Sequence, residues 1–119
     1  MSPALFVYGT LRSEFHNRFA RLLRSRSRLE GRSTVTGSIY RIGKYPALRC
    51  EPPGVVHGEV YWLEDPEEML GILDRYEGED FERIMIQTTG AYSGPAWIYR
   101  YKKEPPDTSL IASGDFCSL

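Results

Sequence analysis

The run Leu5-Phe6-Val7-Tyr8-Gly9-Thr10-Leu11-Arg12 constrains this chain more than any other stretch. Residues of high β-propensity lead without a break into an aromatic, a glycine and a threonine. That is the pattern of a buried strand over 4–8 ending at a tight loop. Gly9 has no Cβ, so a ligand can approach its backbone closely. The amides around Thr10 and Leu11 are then available to an anion or a developing oxyanion. An ordinary turn after a strand reads the same way, so the motif gains meaning only from the rest of the chain.

At 119 residues the chain is expected to be one domain, 1–119, with a single core. Phe15, Phe19, Leu22 and Leu23 share one helical face, which predicts a helix over 14–25 capped by Ser13, with Arg18, Arg21 and Arg24 on the other side. Val35 and Ile39 point to a strand over 33–41, with Gly37 as a bulge. A loop holding Pro46, Pro52, Pro53 and Gly54 follows. Residues 55–63 alternate as a strand, Val60 and Trp62 on one face and Glu59, Tyr61 and Leu63 on the other. Asp65-Pro66-Glu67-Glu68 combines an N-cap, a first-turn proline and acids at the positive helix end. Met69, Ile72, Leu73 and Tyr76 then give that helix an apolar face, and Gly78 is placed to end it. Strands are predicted over 82–89 and 95–102. In the second, Trp97, Tyr99 and Tyr101 oppose Ala96, Ile98 and Arg100. Pro105-Pro106 opens an irregular tail. Strands and two helices that do not alternate regularly make an α+β domain.

Composition excludes several classes. A net charge of -1 gives no whole-protein field towards nucleic acid or an acidic membrane. No apolar run approaches the ~20 residues that span a bilayer. The N-terminus lacks a basic region, apolar core and cleavage site in series, so a cytoplasmic location is expected. Cys50 and Cys117 suggest no disulfide framework, and His16 and His57 have no metal-ligand spacing. Seven arginines, at 12, 18, 21, 24, 26, 28 and 32, stand against Glu14 and Glu30. Without aromatic interleaving or a nucleic-acid motif they read as a solvated helix face followed by a charged loop, which argues against nucleic acid as a partner.

Glu77 is the central chemical candidate. It falls in the last turn of the second predicted helix, where the macrodipole disfavours a carboxylate and raises its pKa. A cavity would raise it further, towards the range of a general base near neutral pH. The competing reading is a solvated acid paired with Arg75 or Arg83. Glu79, Asp80 and Glu82 are so close that composition alone does not single out Glu77. Tyr45, Tyr99 and Tyr101 carry hydroxyls able to bond a substrate amine or carboxylate, and the same residues also read as core or rim aromatics. Trp62, Trp97 and His57 read as structural. Ser113-Gly114-Asp115 is a plain turn sequence, and Cys117 a free thiol.

Tyr8-Gly9-Thr10-Leu11, Tyr45-Pro46-Ala47, Gly58-Glu59-Val60-Tyr61, Leu73-Asp74-Arg75-Tyr76-Glu77-Gly78, Ala96-Trp97-Ile98-Tyr99 and Ser113-Gly114-Asp115-Phe116 occur here in that order. In order and spacing the set resembles the γ-glutamylcyclotransferase superfamily. More narrowly it resembles the short branch of γ-glutamylamine cyclotransferases and AIG2-like proteins. The resemblance implies a small, mostly antiparallel β-barrel with two flanking helices. It places the family's catalytic glutamate at Glu77. It implies internal aminolysis of a γ-glutamyl amide, giving 5-oxoproline and a free amine with no metal and no cofactor. On that reading Tyr8, Gly9, Thr10, Leu11, Tyr45 and Tyr99 bind the substrate. The backbone of Gly9, Thr10 and Leu11 would hold its α-carboxylate or the oxyanion, and Arg12 could assist. The alternative is a non-catalytic small-molecule-binding or interaction protein on the same fold.

Overall fold

The computed structural model describes residues 2–12 and 15–118. The elements in chain order are β1 (Ala4–Val7), α1 (Arg18–Ser25), β2 (Ser27–Thr36), β3 (Ser38–Ile42), β4 (Tyr45–Arg49), β5 (Val55–Leu63), α2 (Pro66–Glu77), β6 (Phe81–Gly90) and β7 (Gly94–Tyr101). Single 3-10 turns follow at Asp107–Ser109 and Phe116–Ser118. Strands β1, β5, β2, β6 and β7 close into a barrel, and β3 with β4 forms a separate ribbon. Every pairing is antiparallel except that of β1 with β7, which meets at Leu5 and Trp97 and shuts the barrel. The domain is therefore α+β, a mostly antiparallel barrel with two helices.

Period-2 alternation builds two apolar clusters from the same strands. Ala4, Phe6, Val56, Val60, Ala96 and Ile98 meet in one, with Trp62 packed against it. Leu5, Val7, Tyr61, Leu63 and Tyr99 meet in the other, beneath Leu23 of α1 and Met69, Leu70 and Leu73 of α2. The face assignments read from β5 and β7 hold. Helix α2 also starts as its sequence dictates: the Asp65 side chain accepts the Glu68 N–H at 3.3 Å, and Pro66 occupies the first turn. Its packed stripe differs by one position, because Leu70 is buried while Ile72 stays half-buried at the margin.

Four expectations are corrected. Helix α1 starts at Arg18, not at residue 14; the Asn17 side chain accepts the Ala20 N–H at 2.9 Å and satisfies an orphan donor of the first turn. Ser13, the expected cap, lies outside the described residues, and Phe15 precedes the helix and stacks on Phe116. Gly37 is not a bulge but the corner between β2 and β3, where a Cβ would lie 2.8 Å from the Arg49 carbonyl oxygen. The register irregularity falls between Leu29 and Gly31 instead. Arg28 and Arg32 belong to β2 rather than to a charged loop, since pairing with β5 overrides local composition. Pro46 lies within β4, which pairs on one side only, so its missing N–H costs no ladder bond.

The C-terminal tail is docked on the barrel. The His57 N–H donates to the Gly114 carbonyl at 2.8 Å, and Ile111 and Phe116 enter the core. Arg12 is fully buried, and its Nη1 lies 2.7 Å from Asp115 Oδ1. Removing the charge from one partner of a buried pair costs more than the pair contributes, because the other charge stays desolvated. Asp115→Asn keeps the shape of the side chain and removes its charge. It should lower stability by about 3 kcal/mol in urea denaturation at neutral pH. A loss within experimental error would show that Asp115 is not what neutralises Arg12.

Candidate active site

A cavity of about 320 Å³ lies where the end of β1, the β3–β4 ribbon, the end of α2, the start of β6 and the end of β7 meet. Tyr8, Gly9, Thr10, Leu11, Tyr45, Glu77 and Tyr99, all expected from sequence, line it together with Tyr101. Sequence reasoning missed Tyr76, Asp80, Phe81, Ile42 and Pro46, which line it as well. Tyr76 carries the clearest overlooked signal: it sits beside Glu77, and an amphipathic phenol at a helix end presents both a packing ring and a polar tip.

Glu77 is the last residue of α2. Gly78 ends the helix at φ 82, in the left-handed region that glycine occupies without strain, and its N–H returns to the Asp74 carbonyl at 3.1 Å. No ion pair or hydrogen bond from another described residue reaches the Glu77 carboxylate. Arg83, a partner weighed from sequence, instead binds both oxygens of Asp74, at 2.9 and 3.2 Å. Burial pushes the Glu77 pKa up to about 7. The neighbouring acids differ from it. Asp80 is exposed and pairs with Lys103 at 3.0 Å, while the Arg100 guanidinium engages Glu82 and lowers its pKa. Glu77 and Glu82 are thus displaced in opposite directions, the first by burial and the second by a cation.

Phenols surround that carboxylate. The Tyr8 hydroxyl donates to the Tyr99 carbonyl at 2.6 Å and accepts the Leu48 N–H at 3.3 Å, so it ties β1 to β7 and β4. The Tyr99 hydroxyl donates to Asp74 Oδ1 at 2.7 Å. Burial is the largest cause that raises the pKa of Tyr8, Tyr76 and Tyr99, and the Glu77 charge adds to each. All three therefore remain protonated donors at neutral pH. Tyr45 is more than half exposed and sits at the rim.

The loop after β1 is a turn closed by Arg12 N–H donating to the Gly9 carbonyl at 3.0 Å. Among the described residues nothing accepts the Thr10 or Leu11 N–H within that turn. Packing calls for glycine at position 9: a Cβ there would lie 2.6 Å from Pro46 Cγ. Arg12 does not line the cavity, because its guanidinium is committed to Asp115; an assisting contact with substrate is not what this side chain does. His57 is exposed on β5 outside the cavity, and Trp62 and Trp97 pack against the two clusters. Of the arginine-rich segment, Arg24 Nη1 donates to the Phe15 carbonyl, Arg26 pairs with Glu68 and Arg28 with Glu30.

Known proteins share both sequence and fold with this chain. A family model described as gamma-glutamyl cyclotransferase, AIG2-like matches residues 5–118. The γ-glutamylcyclotransferase family protein YtfP of Escherichia coli is 34% identical over 114 residues, covering 94% of each chain. A Niallia circulans relative named gamma-L-glutamyl-butirosin B gamma-glutamyl cyclotransferase is 33% identical, over 86% of this chain and 69% of its own. The solution structure of the Escherichia coli protein superposes with a TM-score of 0.69 over 97% of this chain and 96% of that one, at 35% identity. An AIG2-like protein from mouse superposes with a TM-score of 0.72 at 25% identity, over 88% and 80%. The chain belongs to the γ-glutamyl cyclotransferase, AIG2-like family, a family of enzymes.

Proposed function

We propose that the protein cyclises the γ-glutamyl group of a γ-glutamyl amide, releasing 5-oxoproline and a free amine, with Glu77 as the proton carrier. The observation that carries this reading is a carboxylate with a pKa of about 7, with no cation beside it among the described residues, in one cavity with the Tyr8-Gly9-Thr10-Leu11 loop. The name of the Niallia relative, which specifies a γ-glutamyl compound, supports the substrate class.

The chemistry needs few parts. Ionised Glu77 takes a proton from the α-ammonium of the substrate. The freed amine attacks the γ-carbonyl carbon, its new C–N bond closes a five-membered ring, and the carbonyl oxygen becomes an oxyanion. Effective molarity supplies much of the rate once the chain is held curled. The Thr10 and Leu11 amides offer fixed donors for an anion. Protonated Glu77 then gives its proton to the leaving nitrogen as the oxyanion collapses and the amide C–N bond breaks. The regenerated carboxylate takes the second proton from the positively charged ring nitrogen and passes it to the amine, which departs as an ammonium and leaves a neutral lactam N–H. Atoms and charges balance with no nucleophilic serine or cysteine and no cofactor.

Glu77→Gln cannot accept the proton. It should lose roughly 10²–10⁴-fold in turnover on a γ-glutamyl amide while still binding a substrate analogue. In the parent, kcat/KM should rise with pH through about 7, and that limb should vanish in the variant. Full activity in Glu77→Gln, or loss in Glu79→Gln instead, would identify a different base. Binding of a γ-glutamyl analogue by the parent without any release of 5-oxoproline would leave a binding protein.

The same carboxylate gives a stability signature with a definite sign. Its folded pKa, about 7, lies above the ordinary 4.5, so its contribution is fully favourable below about 4.5 and is lost as pH rises through 7. Glu77→Gln should therefore have a Tm close to the parent at pH 4.5 and a clearly higher one at pH 8. Parallel Tm curves would mean that the group is not desolvated.

Among the described residues no three His, Cys, Asp or Glu side chains gather where they would hold a metal ion. Turnover should survive prolonged chelation. Loss of activity that zinc or manganese restores would require a different mechanism.

A further inference from the structure

The Thr10 hydroxyl and the Tyr76 hydroxyl lie 2.9 Å apart across the cavity, although 66 residues separate them in sequence. Thr10 belongs to the turn after β1, in which, among the described residues, nothing accepts the Thr10 or Leu11 N–H. Tyr76 is the residue before Glu77. We infer that this hydroxyl pair is a latch, and that Tyr76 is a positioning residue that fixes the anion-binding turn relative to the base. The inference rests on the cyclotransferase reading of the site, and it adds a role that neither hydroxyl has in the proton transfers.

Both ends of the latch are held from behind. The Thr10 carbonyl accepts the Asn17 Nδ2–H at 2.7 Å, and the same side chain caps α1 through its oxygen. Thr10 is thus gripped by α1 through its backbone and by α2 through its side chain. The Tyr76 ring packs on Phe19 of α1 with centroids 4.4 Å apart, so its hydroxyl has little freedom to swing away. Leu70 and Leu73 are buried and fix the helix that carries Tyr76. Without the latch, the turn would keep its closing bond from Arg12 to Gly9 and its tie to Asn17. It would lose the side-chain hydrogen bond that ties it to the helix carrying the base, and keep only the apolar packing of Leu11 against Leu70 and Leu73.

The geometry explains why a phenol is needed. Phenylalanine would keep the packing on Phe19 but not the bond. A displacement of about 1 Å between reacting groups is enough to cost roughly 10²-fold in rate. A loop that carries oxyanion donors is sensitive on that scale, whereas binding of the rest of the substrate is less so.

The test is a double-mutant cycle on a γ-glutamyl amide that the parent turns over, read with amide ¹⁵N relaxation at Gly9, Thr10 and Leu11. Tyr76→Phe and Thr10→Val should each lower kcat/KM roughly 10- to 100-fold, mostly in kcat, and the double variant should lose no more than the worse single one. Thr10→Ser, which keeps a hydroxyl, should lose less than Thr10→Val. The rise of kcat/KM with pH through about 7 should persist in Tyr76→Phe, because Glu77 is intact. Relaxation should show a more mobile turn in Tyr76→Phe at unchanged overall fold. Losses that multiply in the double variant, or a turn no more mobile than in the parent, would overturn the latch. If the parent releases no 5-oxoproline from any γ-glutamyl amide tried, the cyclotransferase reading fails, and the relaxation measurement still decides the latch.

Discussion

Holding an ionisable carboxylate in a cavity with no cation beside it costs free energy whenever the group is charged, because water is removed and nothing replaces it. Among the described residues Glu77 is in that position, and the elements around it keep it there. Helix α2 is anchored by Leu70 and Leu73, and burying each contributes roughly 2 kcal/mol. Its N-terminus is capped by Asp65 and carries Glu67 and Glu68 at the positive end of the dipole, which offsets an acid at the unfavourable last position. Asp74 takes the Arg83 guanidinium one turn earlier. A cation on Glu77 instead would lower the pKa that burial raises.

The opposite wall of the site depends on closure of the barrel. The parallel meeting of β1 with β7 brings the Tyr8 hydroxyl onto the Tyr99 carbonyl, and the Leu48 amide completes that knot from the ribbon. Tyr8 is thereby fixed where the strand ends, and the turn that follows begins from a rigid point. Its far end is fixed by the buried Arg12–Asp115 pair, which couples the C-terminal tail to the same loop. Catalytic groups on loops gain precision only when both ends of the loop are tied to packed structure.

Much of this was legible in the sequence, for identifiable reasons. The α2 boundaries followed from a cap, a proline and a glycine, all local signals. The faces of β5 and β7 followed from strict alternation. The seven cavity residues were reachable because strand-to-glycine and helix-end acid are local patterns, and because the family resemblance joined them. The failures are where tertiary pairing decides. Arg28 and Arg32 look like loop residues until β5 pairs with them, and Pro46 looks like a breaker until its strand proves to have a free side. Gly37 resembles a bulge until the ribbon folds back over it. Asp115 is read as a turn because its partner, Arg12, is 103 residues away in sequence. Tyr76 is hidden for the same reason, since no local pattern reveals what a hydroxyl meets across a cavity.

On the proposed mechanism, one desolvation sets two quantities of opposite sign. Raising Glu77 from 4.5 to about 7 makes it a stronger base by about 3 kcal/mol of proton-transfer driving force. The folded state loses stability of the same order above pH 7, because the ionised group is better solvated in the unfolded chain. Neither can be tuned without the other. A cation placed beside Glu77 would restore stability and remove basicity, and a deeper cavity would do the reverse until the group no longer ionised at neutral pH. A pKa near 7 lies between these failures: about half of the molecules hold the base ionised at pH 7, and the protonated form remains acidic enough to release its proton to a departing amine. The fold meets this condition by placing the acid at the last helical position. There α2 can bury the carboxylate at its end while the rest of the helix supplies the packing that keeps the chain folded.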